Sequence, residues 1–375
     1  MTAAFLRTAT VGLALALAGC GGTTSSASGL LANLPTPSPS AAPIPTPTPT
    51  PTPTPSGTTT PLASALTQAD AQLGACVNMA NMLEPPNEGD WGRAIFDTDF
   101  ADIAAAGFET VRLPVRWSNH ASYSAPYTID PSFMARVATV VGQARAAGLR
   151  VILNMHHYED PQGNIFTDPA QQTARLAGMW KQIAERFAGE SDMVWFELLN
   201  EPHEQLRHTN LLSVLEPALA EVRATNPTRP VVIGGEFWSG INSLATLPLP
   251  NDAYLVATFH YYDPFNFTHQ GASWIDNPPP MGTTFGSASD LAELNDNVAK
   301  ARSFISATGR PLFLGEFGAI DQIPLDQRAH YYKMVHDAFA GAQVDGCVWG
   351  YTNSFAFRDP ATLEWKTPLL QALGL

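Results

Sequence analysis

The chain is poor in cysteine, with 3 in 375 residues, so once Cys20 is set aside only Cys76 and Cys347 remain to pair. Basic charge is also scarce. Lys and Arg total 20 against 34 Asp and Glu, a formal charge of −14. A surface that acidic repels phosphate and anionic lipid headgroups, which argues against nucleic acid as a partner. Long apolar runs are missing as well. The longest near the N-terminus, Val11–Ala18, falls far short of the roughly 20 residues a membrane-spanning helix needs. No His-x-His or His-Glu-x-x-His spacing occurs, so the pattern offers neither a catalytic metal nor another cofactor.

What is present divides the chain in two. The first 60 residues carry one charged side chain, Arg7, and ten of the 32 prolines. Arg7 followed by Val11–Ala18 has the form of an export signal. It ends in Leu17-Ala18-Gly19-Cys20, which resembles the lipobox of bacterial lipoproteins. That resemblance implies cleavage after residue 19, lipidation of Cys20 and a protein held to a bacterial (outer) membrane by lipid alone, facing periplasm or cell surface. Residues 20–61 then read as anchor segment and linker. Five consecutive Thr-Pro pairs fill Thr46–Pro55. Alternating prolines remove backbone donors and fix φ, so this tract suits neither helix nor sheet. As extended polyproline II, the 27 residues from Pro35 to Pro61 would reach roughly 80 Å.

From residue 62 to 375 the composition is that of one globular domain, expected as a monomer. Eight short apolar runs punctuate it: Ala75–Asn78, Thr110–Leu113, Arg150–Asn154, Met193–Leu198, Pro230–Ile233, Leu255–Phe259, Pro311–Leu314 and Gly346–Trp349. Near-continuous Val, Ile, Leu and Phe marks strands covered on both faces. Helical stretches separate them. Asp130-Pro131 and Asp168-Pro169 read as N-cap and first turn, Ala101–Ala106 stops at Gly107, and Asp290–Thr308 stops at Gly309. Eight strands alternating with helices predict a (β/α)8 TIM barrel. A doubly wound sheet is the alternative, but no Gly-rich phosphate loop follows the first strand.

In such a barrel, chemistry belongs at the C-terminal strand ends. Those ends read Arg112-Leu113-Pro114, Asn154-Met155-His156-His157, Asn200-Glu201-Pro202, His260-Tyr261-Tyr262, Gly315-Glu316-Phe317-Gly318 and Trp349. Two glutamates, Glu201 after strand four and Glu316 after strand seven, stand out. Paired carboxyls across a cleft are what cleavage of a glycosidic bond requires. The glycines flanking Glu316 allow close backbone approach there.

As a set, these motifs resemble glycoside hydrolase family 5, over roughly Gly74 to the C-terminus, and the loop Leu83–Gly89 through Trp91-Gly92 resembles bacterial endoglucanases of that family. Asn154 departs from the Asp found in many members. The resemblance implies Glu201 as general acid/base and Glu316 as nucleophile, about 5 Å apart and acting with retention. It places Asn200 on the sugar 2-hydroxyl, Arg112 beside Glu316, the Tyr262 phenol on Glu316 or on the reacting ring, His156 and His260 in the polar shell of the carboxylates, and Trp349 beneath the reacting sugar. A raised pKa for Glu201 is expected, chiefly from the charge of Glu316. The implied activity is that of an endo-β-1,4-glucanase on a neutral β-glucan, without cofactor. Lichenan, xyloglucan or mannan are open alternatives, and a non-catalytic polysaccharide-binding lipoprotein or a metal-dependent barrel hydrolase are competitors from other classes.

Trp91, Trp117, Trp238 and Trp274 are candidate platforms for further sugars, each equally readable as packing between barrel and loops. The stretch Phe265–Gly286 is expected to border the cleft. His156 and His157 are expected on opposite faces of their strand, unable to chelate together. Cys76 and Cys347 would fall on neighbouring strands one and eight. Adjacent parallel strands are a poor frame for a bridge, so buried free thiols are expected, although export permits a disulfide.

Overall fold

A computed structural model describes residues 62–375; the expected signal segment, Cys20 and the Pro-Thr tract lie outside the described residues. Eight parallel strands close on themselves: β1 (Cys76–Asn78), β2 (Thr110–Leu113), β3 (Arg150–Asn154), β4 (Val194–Glu197), β5 (Val231–Gly234), β6 (Leu255–Tyr261), β7 (Leu312–Phe317) and β8 (Gly346–Val348). Each pairs with its sequence neighbour, and β1 pairs with β8, giving a closed (β/α)8 barrel as the strand pattern predicts.

The helices form where the punctuation places them. In α1 (Asp99–Ala105) the chain packs Phe100 and Ile103 inward. For α2 (Pro131–Ala146), the Asp130 carboxylate accepts from the N–H groups of Ser132 and Phe133, and Val137, Val140, Val141 and Ala144 form its buried stripe. Then come α3 (Pro169–Arg186), α4 (Leu211–Thr225) and the single turn α5 (Phe265–Thr268). In α6 (Ala288–Thr308), Ser287 and Asp290 make a capping box, and Gly309 ends the helix in the left-handed region at φ 63°. α7 (Leu325–Ala340) and α8 (Thr367–Ala372) complete the ring.

Alternation along the strands sorts their side chains. The outward set (Val77, Val111, Val151, Val194, Val231, Leu255 and others) joins the helices in one large core. The inward set forms a separate apolar layer: Cys76, Ile152, Trp195, Val232, Val256, Phe313 and Cys347. Two residues further along the same strands, the inward positions are Asn78, Asn154, Glu197 and Thr258, all buried. The barrel interior therefore changes from apolar floor to polar mouth in a single step.

The cysteines correct the sequence expectation, because Cys76 and Cys347 form a disulfide. They are direct register partners on β1 and β8, so both side chains share the inner face, and their Cα atoms lie 4.2 Å apart. Direct pairing, not merely neighbouring strands, makes the bridge reachable. It closes the barrel across a sequence separation of 271 residues. Cys347→Ser is therefore expected to cost about 4 kcal/mol, lowering the thermal midpoint by on the order of 10 °C. A wild-type midpoint insensitive to reductant, and equal to that of the variant, would count against the bond.

Candidate active site

Arg112, at the end of β2, is fully buried and organises the barrel mouth. Its Nε and Nη2 each donate to Glu197 at 2.7 Å. Nη1 donates to Asn78 Oδ1 at 2.9 Å and to Glu316 Oε1 at 2.7 Å, and Nη2 to Asn200 Oδ1 at 2.7 Å. All five N–H donors of the fork are thus used. Burial works against the charge, but Glu197 and Glu316 more than offset it and keep the guanidinium protonated. The contact also orients Asn200: with its oxygen on Arg112, its Nδ2 is the end left to donate.

Glu316 reaches the interior through an irregularity in β7. Phe259 of β6 pairs with Leu314, but the next residue, His260, pairs with Glu316, so Gly315 is an extra residue. Strict alternation from the inward Phe313 would send Glu316 outward; the bulge turns it in. Only glycine fits at the bulge, since a Cβ on residue 315 would stand 2.6 Å from Thr258 Oγ1 and 3.0 Å from His260 Nε2. Tyr262 donates its hydroxyl to Glu316 Oε2 at 3.0 Å. Burial raises the pKa of Glu316, while His260 and Arg112 oppose the rise.

Glu201 follows β4 in a left-handed backbone conformation, φ 47°, rare for a residue with a side chain. Its Oε1 lies 2.7 Å from His260 Nδ1, and that nitrogen is 3.5 Å from Glu316 Oε2. One donor atom from each of Glu201, His260 and Glu316 lies within 4.8 Å of the others. The pKa of Glu201 is raised to about 7, first by burial, with Glu159 and Glu197 adding to the rise and Arg112 and His203 opposing it. This corrects the expected cause. Burial comes first, and the repulsion between Glu201 and Glu316 acts beside it, raising Glu316. His260 is pushed down to about 4 by burial first, and so is neutral between the two glutamates near pH 7.

A cleft of about 590 Å³ opens above these groups, lined by Glu84, Trp91, His156, His157, Tyr262, Trp274 and Trp349 among others. Trp349 stacks with His156 at 5.4 Å and 7°. His156 bonds no carboxylate among the described residues; its Nδ1 is 3.2 Å from Asn154 Nδ2, and burial holds its pKa well below the usual range. It therefore supports the aromatic floor and stands apart from the hydrogen bonds of the two glutamates. His156 and His157 both line the cleft, against the expectation of opposite faces, because β3 ends at Asn154 and alternation no longer applies.

The tryptophans divide. Trp91 and Trp274 line the cleft, and Trp274 brings the stretch after α5 to its edge as expected. Trp117 is buried and donates its Nε1–H to the Asn154 carbonyl at 3.0 Å, a packing residue. Trp238 is exposed and does not line this cleft.

Sequence reasoning passed over Asn78, Glu197 and Glu84. The signal for Glu197 was present, a carboxylate ending the apolar run Val194–Glu197 two residues after the inward Trp195. Glu84, in the loop after β1, accepts backbone N–H groups from Asn81 and, at 3.0 Å, from Met82. Burial first raises its pKa to about 7.

The sequence profile of Cellulase (glycosyl hydrolase family 5) matches residues 73–354. The chain belongs to glycosyl hydrolase family 5. Endoglucanase H of Acetivibrio thermocellus is 35% identical over 335 residues, covering 84% of this chain and 35% of that protein. Cellulase/esterase CelE of the same organism is 28% identical, covering 79% of this chain and 38% of its own length. The chain thus spans little more than a third of these two curated relatives. Among solved structures, a hyperthermophilic endo-β-1,4-glucanase in complex with substrate aligns with a TM-score of 0.79 at 34% identity, over 83% of this chain and all of that one. Thermotoga maritima Cel5A in complex with mannotriose aligns at 0.78 and 35%, over 82% and 99%.

Proposed function

We infer that this member of family 5 is a retaining endo-β-1,4-glucanase, with Glu201 as general acid/base and Glu316 as nucleophile. The observation carrying this reading is the approach of the two carboxyls within 4.8 Å from the ends of β4 and β7. Retaining hydrolases place them about 5–5.5 Å apart, whereas inverting ones leave room for a water at about 6.5–9.5 Å. The Glu316 carboxylate attacks the anomeric carbon while Glu201 passes its proton to the departing glycosidic oxygen. A water then gives its proton to Glu201 as its oxygen displaces the ester, releasing Glu316. Asn200 Nδ2 is available to the sugar 2-hydroxyl, and Trp349 is the floor beneath the ring.

A single substrate follows less directly. The relatives are named endoglucanases, which favours β-1,4-glucan. Thermotoga maritima Cel5A has been solved with both mannotriose and cellobiose, which supports β-1,4-mannan as a second substrate. Viscosity and reducing ends measured together on carboxymethyl cellulose, lichenan, xyloglucan, glucomannan and xylan test this. A fast viscosity drop on a β-glucan is expected, unchanged by EDTA, because the Arg112 guanidinium against Glu316 disfavours a cation among the three donors. Silence on all five from folded protein would sink the reading.

With Glu201 titrating at about 7, kcat/KM should fall about tenfold per pH unit above that value as the proton needed by the leaving group is lost. A profile flat to pH 9 would contradict the assignment.

The N-terminal sequence supports export and a lipid anchor at Cys20, and the oxidised Cys76–Cys347 pair fits an oxidising compartment. Radiolabelled palmitate incorporated by cells expressing the protein, and lost in Cys20→Ala, is the expected result; equal labelling would reject the anchor.

A further inference from the structure

The strained backbone at Glu201 is held from an unexpected quarter. His203 is 7% exposed, and its Nδ1 lies 2.6 Å from the carbonyl oxygen of Glu201. A carbonyl only accepts, so Nδ1 carries the proton. The ring lies between two aromatics, with Phe166 stacked at 3.8 Å and 22° and Trp238 at 5.0 Å and 10°. Its far nitrogen, Nε2, is 3.6 Å from Glu159 Oε1.

Trp238 is itself in an unusual place. Phe237, Trp238 and Ser239, following β5, are all left-handed, with φ of 56°, 55° and 54°. Three such residues in a row, none of them glycine, persist only where the surroundings fix them. Both ends of this turn are tied to the acid. The Trp238 N–H donates to the Pro202 carbonyl at 3.1 Å, and the Ser239 carbonyl accepts from the His260 N–H at 2.8 Å. His260 in turn contacts Glu201 Oε1 at 2.7 Å. The contacts thus close a ring: Glu201, His203, Trp238, Ser239, His260 and back to Glu201.

Trp238 nevertheless remains 54% exposed, with only one face covered by His203. An acid that protonates the leaving oxygen sits on the leaving-group side of the bond. Trp238 is tied to that acid through Pro202 and His203, and it does not share the cleft lined by Trp91, Trp274 and Trp349. We propose that His203 is a positioning residue that holds Glu201 in its proton-donating placement, and that a leaving-group sugar seated on the open face of Trp238 presses this stack closed.

The proposal rests on Glu201 being the acid, and the test separates the two ideas. kcat/KM is measured on the full protein with cellohexaose, whose departing sugar needs a proton, and with 2,4-dinitrophenyl cellobioside, whose phenolate leaves without one. His203→Phe keeps a flat ring between Phe166 and Trp238 but removes the donor. It should lower kcat/KM on cellohexaose by about 30-fold, a part of the roughly 10²–10⁴-fold that general acid catalysis supplies, and on the aryl glycoside less than about threefold. His203→Asn, whose Nδ2 can donate in place of Nδ1, should recover part of the loss. Trp238→Ala changes an exposed side chain and tests the stack without risk to folding; it should lower the cellohexaose value several-fold further than the aryl glycoside value.

Equal losses on both substrates, in either variant, would make the stack merely structural and overturn the proposal. So would wild-type kinetics in His203→Phe. Wild-type protein inactive on both substrates would instead defeat the underlying reading of Glu201.

Discussion

Glu316→Gln should lower kcat on cello-oligosaccharides and on aryl cellobiosides alike by on the order of 10⁵-fold, the scale seen when a covalent nucleophile is removed. The loss should not depend on the leaving group, because an amide cannot form the glycosyl ester with any substrate. Folding should survive. Arg112 keeps its two contacts with Glu197, each at 2.7 Å, so the guanidinium does not become an unpaired buried charge. What changes is local. Glu316 accepts from Arg112 on one oxygen and from Tyr262 on the other, and an amide must present an N–H2 group to one of them. Circular dichroism and the thermal midpoint should therefore stay close to wild type while turnover vanishes. Residual activity above about 1% would remove Glu316 from the nucleophile's role.

The strand pattern made the barrel legible because parallel strands buried on both faces leave continuous apolar runs, and each of the eight observed strands overlaps its expected run. The polar strand ends were legible for the same reason, since Arg112, Asn200, Glu201, His260 and Glu316 interrupt or end those runs. The pairing of Cys76 with Cys347 was not. Sequence places two cysteines on neighbouring strands, but only the register, Cys76 opposite Cys347, decides whether they can bond. Register is a property of the closed sheet and has no local signature.

Geometry produced by irregularity was hidden too. The Gly315 bulge turns Glu316 inward, and a period-two reading of β7 would have turned it out. The left-handed residues Glu201 and Phe237–Ser239 are side-chain-bearing, so no glycine announces them. The cause of the raised Glu201 pKa was misread for a related reason. A sequence shows which charges are near in chain order and motif, whereas desolvation depends on how deeply the folded barrel mouth buries a carboxyl.

A second cleft carboxyl sharpens the remaining assignment. Glu84 also titrates at about 7 and lines the same cleft, so a kinetic limb near neutrality could by itself belong to either glutamate. Their surroundings separate them. Glu84 is 1% exposed and is engaged by the backbone N–H groups of Asn81 and Met82, whereas the side chain of Glu201 is 24% exposed and shares His260 with Glu316. A carboxyl oxygen of Glu201 lies within 4.8 Å of one of Glu316, the placement a proton donor opposite the nucleophile needs. Glu201→Ala should lower kcat/KM on cellohexaose by about 10²–10⁴-fold, leave kcat/KM on 2,4-dinitrophenyl cellobioside within about tenfold of wild type, and remove the alkaline limb from the residual pH profile on cellohexaose. kcat on the aryl glycoside should fall further than kcat/KM, because the same residue must activate water in the second step. Glu84→Gln should show no such split between substrates and should keep the alkaline limb. If the limb instead disappears in Glu84→Gln and persists in Glu201→Ala, the proton donor is Glu84, and the glutamate after β4 acts only on the charge of its neighbours.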